Sequence, residues 1–296
     1  MGKVSKYVIV SPVKNEAKYI EETIKSVVQQ TVKPLRWVIV DDDSSDRSVE
    51  LIRPFREQYP WIELVQVKRG PTRQTGSAEA SAFNRGYEFV RTLDFDYIVK
   101  LDGDLRFEKD YFEELLNRCE ADAGLGIASG MYFEKGKNGW KAVKMPHYHA
   151  AGASKVLKKP CFEMIGGFLA TPGWDSVDEI RAQYLGWRTR HFKDLHFFHL
   201  KNEGSGMGLL QTNHMHGKIF YLSGGSKPFF FLKVFHRILF GKPFFLGGIW
   251  MMAGFLKPFL TRKQLLVTAG EARFYRRLLN ARIMGVLHSL TGRRCA

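Results

Sequence analysis

The chain has 296 residues, of which 45% are hydrophobic and 25% are charged, as in an ordinary globular protein with a sizeable core. Its three cysteines, Cys119, Cys161 and Cys295, are far apart and form no C-x-x-C pair. This pattern argues against a disulfide framework or a thiolate zinc site, and fits a reducing compartment. Residues 1–11 lack the apolar run of a signal peptide.

The net charge of +15 is concentrated at one end of the chain. From Gly217 onward there are 14 Lys and Arg residues and one acid, Glu271, whereas the first 216 residues hold 31 bases and 29 acids. We therefore predict two domains, residues 1–216 and 217–296. The basic character of the second predicts a polyanionic partner, either nucleic acid or an anionic bilayer.

Apolar strands alternate with amphipathic helices over the first part of the chain. The apolar runs predict strands at residues 7–10, 37–40, 62–67, 97–101 and 125–132. Helices are expected between them, the first capped by Asn15 and the second kinked or split by Pro54. Such alternation predicts a doubly wound, mainly parallel, Rossmann-like sheet whose ligands bind beyond the carboxyl ends of the strands.

The second part of the chain is less regular. A helix is predicted from Trp174 to Gly186, followed by an extended segment at residues 189–200. The stretch 202–217 is rich in Gly, Ser, Asn and His, which predicts a mobile loop.

The C-terminal part contains an apolar run too short to cross a membrane. Residues 243–256 carry no charge, whereas a spanning helix needs about 20 residues. The flanking stretches 229–240 and 274–290 mix Phe and Leu with Lys and Arg, as helices that lie on a bilayer do. We therefore predict a mainly helical, membrane-associating segment.

Two clusters of carboxylates directly follow predicted strands. Asp102 and Asp104 flank Gly103, and such a pair can bind Mg²⁺ or Mn²⁺ together with a diphosphate. The run of residues 41–43 is Asp-Asp-Asp, whose carboxylates could accept from a base N–H or from ribose hydroxyls. Alone, each cluster has an ordinary explanation, as a turn or as acids at a helix N-terminus.

Three segments, in this order and spacing, resemble the family 2 glycosyltransferases of GT-A fold. They are residues 10–16 (VSPVKNE), 38–46 (VIVDDDSSD) and 99–104 (VKLDGD). The resemblance covers about residues 5 to 200. It implies an inverting, metal-dependent transferase of the hexosyltransferase type, with a nucleoside-diphosphate sugar as donor and Mn²⁺ or Mg²⁺ as cofactor.

The resemblance also implies roles for individual residues. Pro12, Glu16 and Asp42 would line the nucleoside pocket. Asp102 would contact the ribose or the metal. The remaining metal ligands would be Asp104 of this Asp-x-Asp (DXD) motif and His199, which could complete the metal or diphosphate site.

The same resemblance points to the catalytic base. In the family this is an Asp about eleven residues before a helix-ending glycine, and counting back from Gly186 leads to Asp175. Asp178 and then Glu179 are the alternatives, although both could simply favour the helix N-terminus or pair with Arg181. The chain departs from the family in having Trp174 before Asp175 instead of Glu, and also Asp43 where Gly is usual.

Other polar residues have weaker functional interpretations. Lys68, Arg69 and Arg73 could face a donor diphosphate or form a solvated loop. The pairs His147/His149 and His214/His216 would each place both rings on one face of a strand, but further zinc ligands are lacking. The second pair fits better in a loop that closes over the donor phosphates. Trp174 could stack on an acceptor sugar or pack in the core.

The leading hypothesis is therefore an enzyme of surface polysaccharide or glycolipid synthesis. It would act at the cytoplasmic face of the cell membrane as a peripheral protein, on a lipid-linked or saccharide acceptor, with an anionic membrane surface as partner. The alternative is a membrane- or nucleic-acid-binding module that keeps the fold without turnover. The many Phe, Leu and Met residues of the tail argue against nucleic acid, and a processive synthase is disfavoured because no long apolar spans frame the domain.

Overall fold

A computed structural model describes residues 5–68, 78–136, 138–201 and 208–290. The chain divides into two compact units, residues 1–203 and 204–296. The predicted boundary at residues 216 and 217 falls inside a helix, Leu209–Leu222, of the second unit.

The first unit is built on a nine-stranded sheet with helices packed against it. In chain order the strands are β1 Tyr7–Val13, β2 Arg36–Asp41, β3 Ile62–Gln66, β4 Tyr97–Leu101, β5 Leu105–Phe107, β6 Leu125–Gly136, β7 Gly139–Ala142, β8 Ser154–Lys158 and β9 Arg188–His199. The helices are α1 Ile20–Val28, α2 Ser48–Gln58, α3 Ala78–Tyr87, α4 Tyr111–Glu120, α5 Lys159–Met164 and α6 Trp174–Tyr184.

The sheet is mixed, whereas the sequence predicted a mainly parallel one. Its order is β3-β2-β1-β4-β8-β6-β9-β5, with β7 paired to β6. The run from β3 to β4 is parallel, as expected for strands joined by helices. β8 is antiparallel to both neighbours, and β5 is antiparallel to β9. The α/β class is confirmed, and the correction concerns the later strands, which do not follow the strand–helix alternation.

One local prediction about helices was wrong, and one alternative of a second is excluded. Asn15 does not cap α1; it has φ 56°, and α1 begins five residues later, at Ile20, with Tyr19 at the N-cap position. Pro54 does not split α2, which continues from Ser48 to Gln58.

The central strands are buried on both faces. Alternate residues of β1 and β2 belong to two separate apolar clusters, Ile9 and Ile39 to one and Val8 and Val38 to the other. Because successive side chains of a strand point to opposite faces, these clusters lie on the two sides of the sheet. The sheet is therefore a rigid support for the polar loops at its strand ends.

The second unit consists of four helices within its described residues. They are α7 Leu209–Leu222, α8 Lys227–Phe240, α9 Leu246–Leu260 and α10 Ala269–Leu290. α7 and α9 touch through glycines: a Cβ on Gly217 would meet the Met251 carbonyl, and one on Gly254 would meet the His214 carbonyl, each at 1.9 Å. This close backbone approach anchors the unit's small core around Phe230 and Phe255.

The structure also bears on the C-terminal predictions. Residues 202–207 of the predicted loop lie outside the described residues, and from Leu209 the chain is helical, so the loop prediction was wrong there. His214 and His216 consequently lie on α7. Among the described residues, no helix combines the length and apolar character needed to cross a bilayer.

Candidate functional site

The loops after β1 and β2 hold each other in place at one edge of the sheet. The amide of Asn15 donates to Ser44 Oγ (2.9 Å), and the amide of Ser45 donates back to Asn15 Oδ1 (2.8 Å). Asp43 adopts φ 61°, a left-handed conformation that Asp tolerates better than most residues. The conformation explains why glycine would suit this position.

The three residues predicted for the nucleoside pocket belong to these two loops or lie next to them. Pro12 lies in β1 and is half-buried, and Asp42 is buried directly after β2. The Asp42 amide donates to the Val13 carbonyl at 2.8 Å, which ties the end of β2 to that of β1. Glu16 follows in the first loop, and its amide donates to Ser48 Oγ at 2.8 Å.

The predicted metal ligands come together in space. One ligand atom from each of Asp102, Asp104 and His199 can be chosen so that all lie within 4.8 Å of one another. His199 Nε2 lies 3.3 Å from Asp104 Oδ2, and the Leu200 amide donates to the Asp104 carbonyl at 2.8 Å, which joins β9 to the start of β5. His199 Nδ1 is buried without a hydrogen-bond partner among the described residues. Two carboxylates and an imidazole fit a divalent cation such as Mn²⁺.

A lysine lies beside this group. Lys201 Nζ donates to Glu16 Oε1 at 2.7 Å, and Glu16 Oε2 is buried without a partner among the described residues. Burial raises the pKa of Glu16, and the Lys201 ammonium only partly offsets that effect. The Lys201 ammonium, two residues after His199, is therefore a cation close to the carboxylates near Asp104.

Asp102 is held by a buried lysine from its own strand. Lys100 Nζ lies 2.5 Å from Asp102 Oδ1 and also contacts Glu79, and its side chain is 1% exposed. Burial raises the pKa of Asp102 to about 7, with Glu79 and Asp104 acting in the same direction and Lys100 against it. A divalent cation bound beside Asp102 would favour the charged form of its carboxyl group.

The three candidates for the base differ sharply in environment. Asp175 is half-buried in the first turn of α6. Asp178 and Glu179 are buried and both contact Lys155, at 2.9 and 3.4 Å. Glu179 also accepts from the Ala150 amide at 2.8 Å. The carboxylates of Asp178 and Glu179 thus already make buried ion pairs and hydrogen bonds, whereas the Asp175 side chain is partly accessible.

His149 is joined to this acidic pair and makes folding stability depend on pH. Its Nδ1 lies 2.9 Å from Glu179 Oε2. Burial by itself lowers the pKa of His149, and so does Lys155, but Glu179 and Asp175 outweigh them and the pKa is raised. The ion pair should therefore stabilise the fold fully below pH about 6.5 and progressively less as the pH rises above that value.

We expect His149→Gln to lower the free energy of unfolding by about 1.5 kcal/mol at pH 5.5, the scale of a hydrogen bond to a charged group, and by less at pH 8.5. Thermal unfolding of both proteins at the two pH values measures this. An equal loss at both values would show that the imidazolium does not contribute.

Other predicted residues lie elsewhere. Trp174 is buried against Phe168, with ring centroids 4.5 Å apart, so it packs in the core and does not present its ring to a sugar. Lys68 is exposed after β3, while Arg69 and Arg73 lie outside the described residues. His147 and His149 belong to a loop instead of a strand, and they are not part of the metal-binding group found among the described residues.

The sequence interpretation missed the lysines of this site. Lys100 and Lys155 are each almost completely buried inside a strand. A signal for Lys100 was present, because a charged residue interrupts the apolar run Tyr-Ile-Val-Lys-Leu of β4. Buried lysines are rare unless they are paired, so this position required a nearby carboxylate. Lys201 had no comparable signal.

Comparison with known proteins decides the family. The model of the family described as "Glycosyl transferase family 2" matches residues 8–171, more than half of the chain. The chain belongs to this family. The matched residues begin within β1 and include Glu16, Asp42, Asp102 and Asp104.

Curated relatives share parts of the sequence of this chain. It is 28% identical over 121 residues to a cholesterol galactosyltransferase of Borreliella burgdorferi, an alignment that covers 40% of this chain and 30% of the relative. It is 28% identical over 117 residues to a poly-β-1,6-N-acetyl-D-glucosamine synthase of Staphylococcus aureus, covering 39% and 26%. The chain thus spans less than a third of the length of these relatives.

Solved structures resemble this chain in fold. A mannosyltransferase of Pyrobaculum calidifontis, in complex with GDP-mannose and Mn²⁺, has a TM-score of 0.58 at 18% identity, over 95% of this chain and 81% of that one. S. aureus TarS residues 1–349, in complex with UDP, has a TM-score of 0.51 at 15% identity, over 86% and 72%. Both likenesses support the GT-A fold.

Proposed function

We propose that the protein is an inverting, metal-dependent glycosyltransferase that moves a sugar from a nucleoside-diphosphate sugar to an acceptor hydroxyl. The observation that carries the proposal is the convergence of Asp102, Asp104 and His199 on one point at the sheet edge. Glu16 approaches the same point: a Cβ on Gly103 would lie 3.5 Å from its Cγ. A fold neighbour solved in complex with GDP-mannose and Mn²⁺ is consistent with this chemistry.

The donor side of the reaction needs positive charge for the leaving diphosphate. A divalent cation held by Asp102, Asp104 and His199 would neutralise part of the charge that develops there. Lys201, at 2.7 Å from Glu16, is a second cation beside the same carboxylates. Pro12, Glu16 and Asp42 would bind the nucleoside.

The acceptor side needs a base. We assign this role to Asp175, which would take the proton of the acceptor hydroxyl as that oxygen attacks the anomeric carbon opposite the diphosphate. The burial of Asp178 and its pairing with Lys155 argue against Asp178 as the base. Gly152 lies beside Asp175 and adds no side chain there: a Cβ on it would be 3.7 Å from the Asp175 Cβ.

Calorimetric titration with a panel of nucleoside diphosphates, with and without Mn²⁺, tests the proposal. We expect one nucleotide to bind, and only when the metal is present. Glu63→Gln, which removes a surface ion pair with Arg36, should bind it equally well. Folded protein that binds none of the nucleotides would favour the alternative of a binding module without turnover.

We further propose that the acceptor is lipid-linked and that the protein acts at an anionic membrane surface, on the cytoplasmic face. In the second unit α8 and the segment that follows it expose a series of aromatic side chains: Phe231, Phe235, Phe240, Phe244 and Phe245. Glu271 is the one acid from Gly217 onward, against 14 Lys and Arg residues. Exposed aromatic side chains together with an excess of basic residues are typical of monotopic membrane proteins.

An open apolar groove belongs to the same surface. It has a volume of 590 Å³ and is lined by side chains of α8 and α10, among them Phe231, Phe235 and Ile283. Exposed apolar patches of this kind mark interaction sites for membranes or proteins. The two helices that line the groove also carry Lys and Arg residues, which favours a membrane with anionic lipids over a neutral protein surface.

Vesicle binding tests this surface. We expect Phe235→Ala/Phe244→Ala to lower partitioning onto anionic vesicles by at least about tenfold, because each buried aromatic side chain contributes about 1.5–3 kcal/mol. Salt should weaken wild-type binding, since each basic side chain near the surface adds about 1 kcal/mol. Phe89→Ala, an exposed phenylalanine of the first unit, is the matched control. Binding to duplex DNA in preference to vesicles would support the nucleic-acid alternative.

A further inference from the structure

Two lysines face each other directly in the middle of the sheet. Lys100 of β4 and Lys155 of β8 are paired residues of an antiparallel ladder, so their side chains leave the sheet on the same face. The Lys100 side chain is 1% exposed and that of Lys155 is 0% exposed. Like charges opposite each other are destabilising, so this arrangement requires compensation.

Each lysine has its own pair of carboxylates. Lys100 contacts Asp102 and Glu79, and thus lies on the side of the metal-binding group. Lys155 contacts Asp178 and Glu179, and it also donates to the main-chain oxygen of Asp175 at 3.0 Å. Lys155 therefore holds the first turn of α6, which carries the proposed base.

One aromatic ring joins the two groups. The Trp174 ring centroid lies 5.3 Å from Lys100 Nζ and 5.4 Å from Lys155 Nζ. Both distances are within the range of a cation–π interaction, which is strongest with Trp and when the cation is desolvated. Trp174 directly precedes Asp175 in the chain, so the ring that contacts both cations is adjacent to the base.

We propose that Lys100, Trp174 and Lys155 are positioning residues that fix Asp175 relative to Asp102. The inference rests on the proposed function, because it assigns Asp175 to the acceptor and Asp102 to the donor. Asp102 is held through Lys100, Asp175 is held through Lys155, and the Trp174 ring sets the spacing between the two ammonium groups. Misplacing a reacting group by about 1 Å can cost on the order of a hundredfold in rate.

Stability alone does not account for this arrangement. Buried ion pairs often stabilise a fold no better than apolar side chains of similar volume. A sheet face that otherwise packs apolar residues, such as Val10 and Ile98, would accept apolar side chains at these two positions. The two ammonium groups instead orient the carboxylates that each lysine contacts.

The test compares Trp174→Leu with Phe168→Leu. Phe168 is buried in the same cluster and contacts Trp174, but no cation–π contact joins it to either lysine among the described residues, so its replacement controls for lost packing. We expect Trp174→Leu to lower kcat of sugar transfer at least tenfold with the Kd for Mn²⁺–nucleotide changed less than threefold. Phe168→Leu should change kcat less than threefold, and Trp174→Phe should recover part of the loss, because it restores an aromatic face.

Hydrogen exchange provides a readout that does not need activity. The Val177 amide donates to Gly173 and the Asp102 amide donates to Ala153. Both should exchange at least tenfold faster in Trp174→Leu than in Phe168→Leu. Equal exchange and equal kcat in the two variants would overturn the positioning role. A wild type that neither binds nucleotide nor transfers sugar would refute the proposed function, while the exchange comparison would still decide whether Trp174 fixes the two segments.

Discussion

Asp104→Asn is expected to lower the metal-dependent rate of donor turnover by at least about a thousandfold. Charge stabilisation by a bound metal is worth several kcal/mol, and each 1.4 kcal/mol is a factor of ten in rate. The Asp104 carboxylate lies 3.3 Å from His199 in the group that would bind the metal. Asparagine keeps the shape of the side chain and removes its charge, so the cation would lose one of its two carboxylate ligands. Donor hydrolysis measured against Mn²⁺ concentration tests the prediction.

The fold should survive this substitution. The hydrogen bond that joins this part of β5 to β9 uses the main-chain oxygen of Asp104, which the variant retains. Asp110→Asn, the same chemical change at an exposed position before α4, is the control and should keep wild-type activity. Wild-type rates in Asp104→Asn would overturn the metal assignment.

Asp175→Asn is expected to lower kcat of sugar transfer by about 10²–10⁴-fold, the usual contribution of a general base, and to leave the Kd for Mn²⁺–nucleotide unchanged. Its main-chain oxygen would still accept from Lys155, so α6 should keep its position. Single-turnover kinetics together with calorimetry separates the two parameters.

Asp178→Asn is the informative comparison. It removes a buried charge that contacts Lys155 at 2.9 Å, and breaking a buried pair costs on the order of 3–5 kcal/mol. The main effect should therefore appear in thermal unfolding, with nucleotide binding retained by the folded fraction. Loss of transfer in folded Asp178→Asn, with activity retained in Asp175→Asn, would identify Asp178 as the base.

The metal-binding group shows how far sequence reasoning reached. Asp102 and Asp104 follow an apolar strand directly, so their place at the carboxyl edge of the sheet follows from the alternation of strands and helices. His199 is almost a hundred residues away, and only the family resemblance linked it to them. Its approach depends on the antiparallel pairing of β5 with β9, a tertiary contact that no local pattern indicates.

The first helix of the second unit, α7, is a case in which the local sequence predicted the wrong structure. Leu209–Leu222 is helical although it begins within the stretch 202–217, which is rich in Gly, Ser, Asn and His. Gly217 is unfavourable in an isolated helix, but here it permits the close contact of α7 with α9. Tertiary packing thus overrode a local preference that predicted a loop.

The sequence by itself determined the α/β class, the positions of the first four strands along the chain, the family and the carboxylates that follow β2 and β4. These features depend on local patterns of apolar and polar residues, which short stretches of chain carry. Tertiary structure alone decided the antiparallel place of β8, the pairing of Lys201 with Glu16 and the contact of Trp174 with two buried lysines. Those features join residues far apart in the chain, and burial and charge pairing select such contacts only once the sheet has formed.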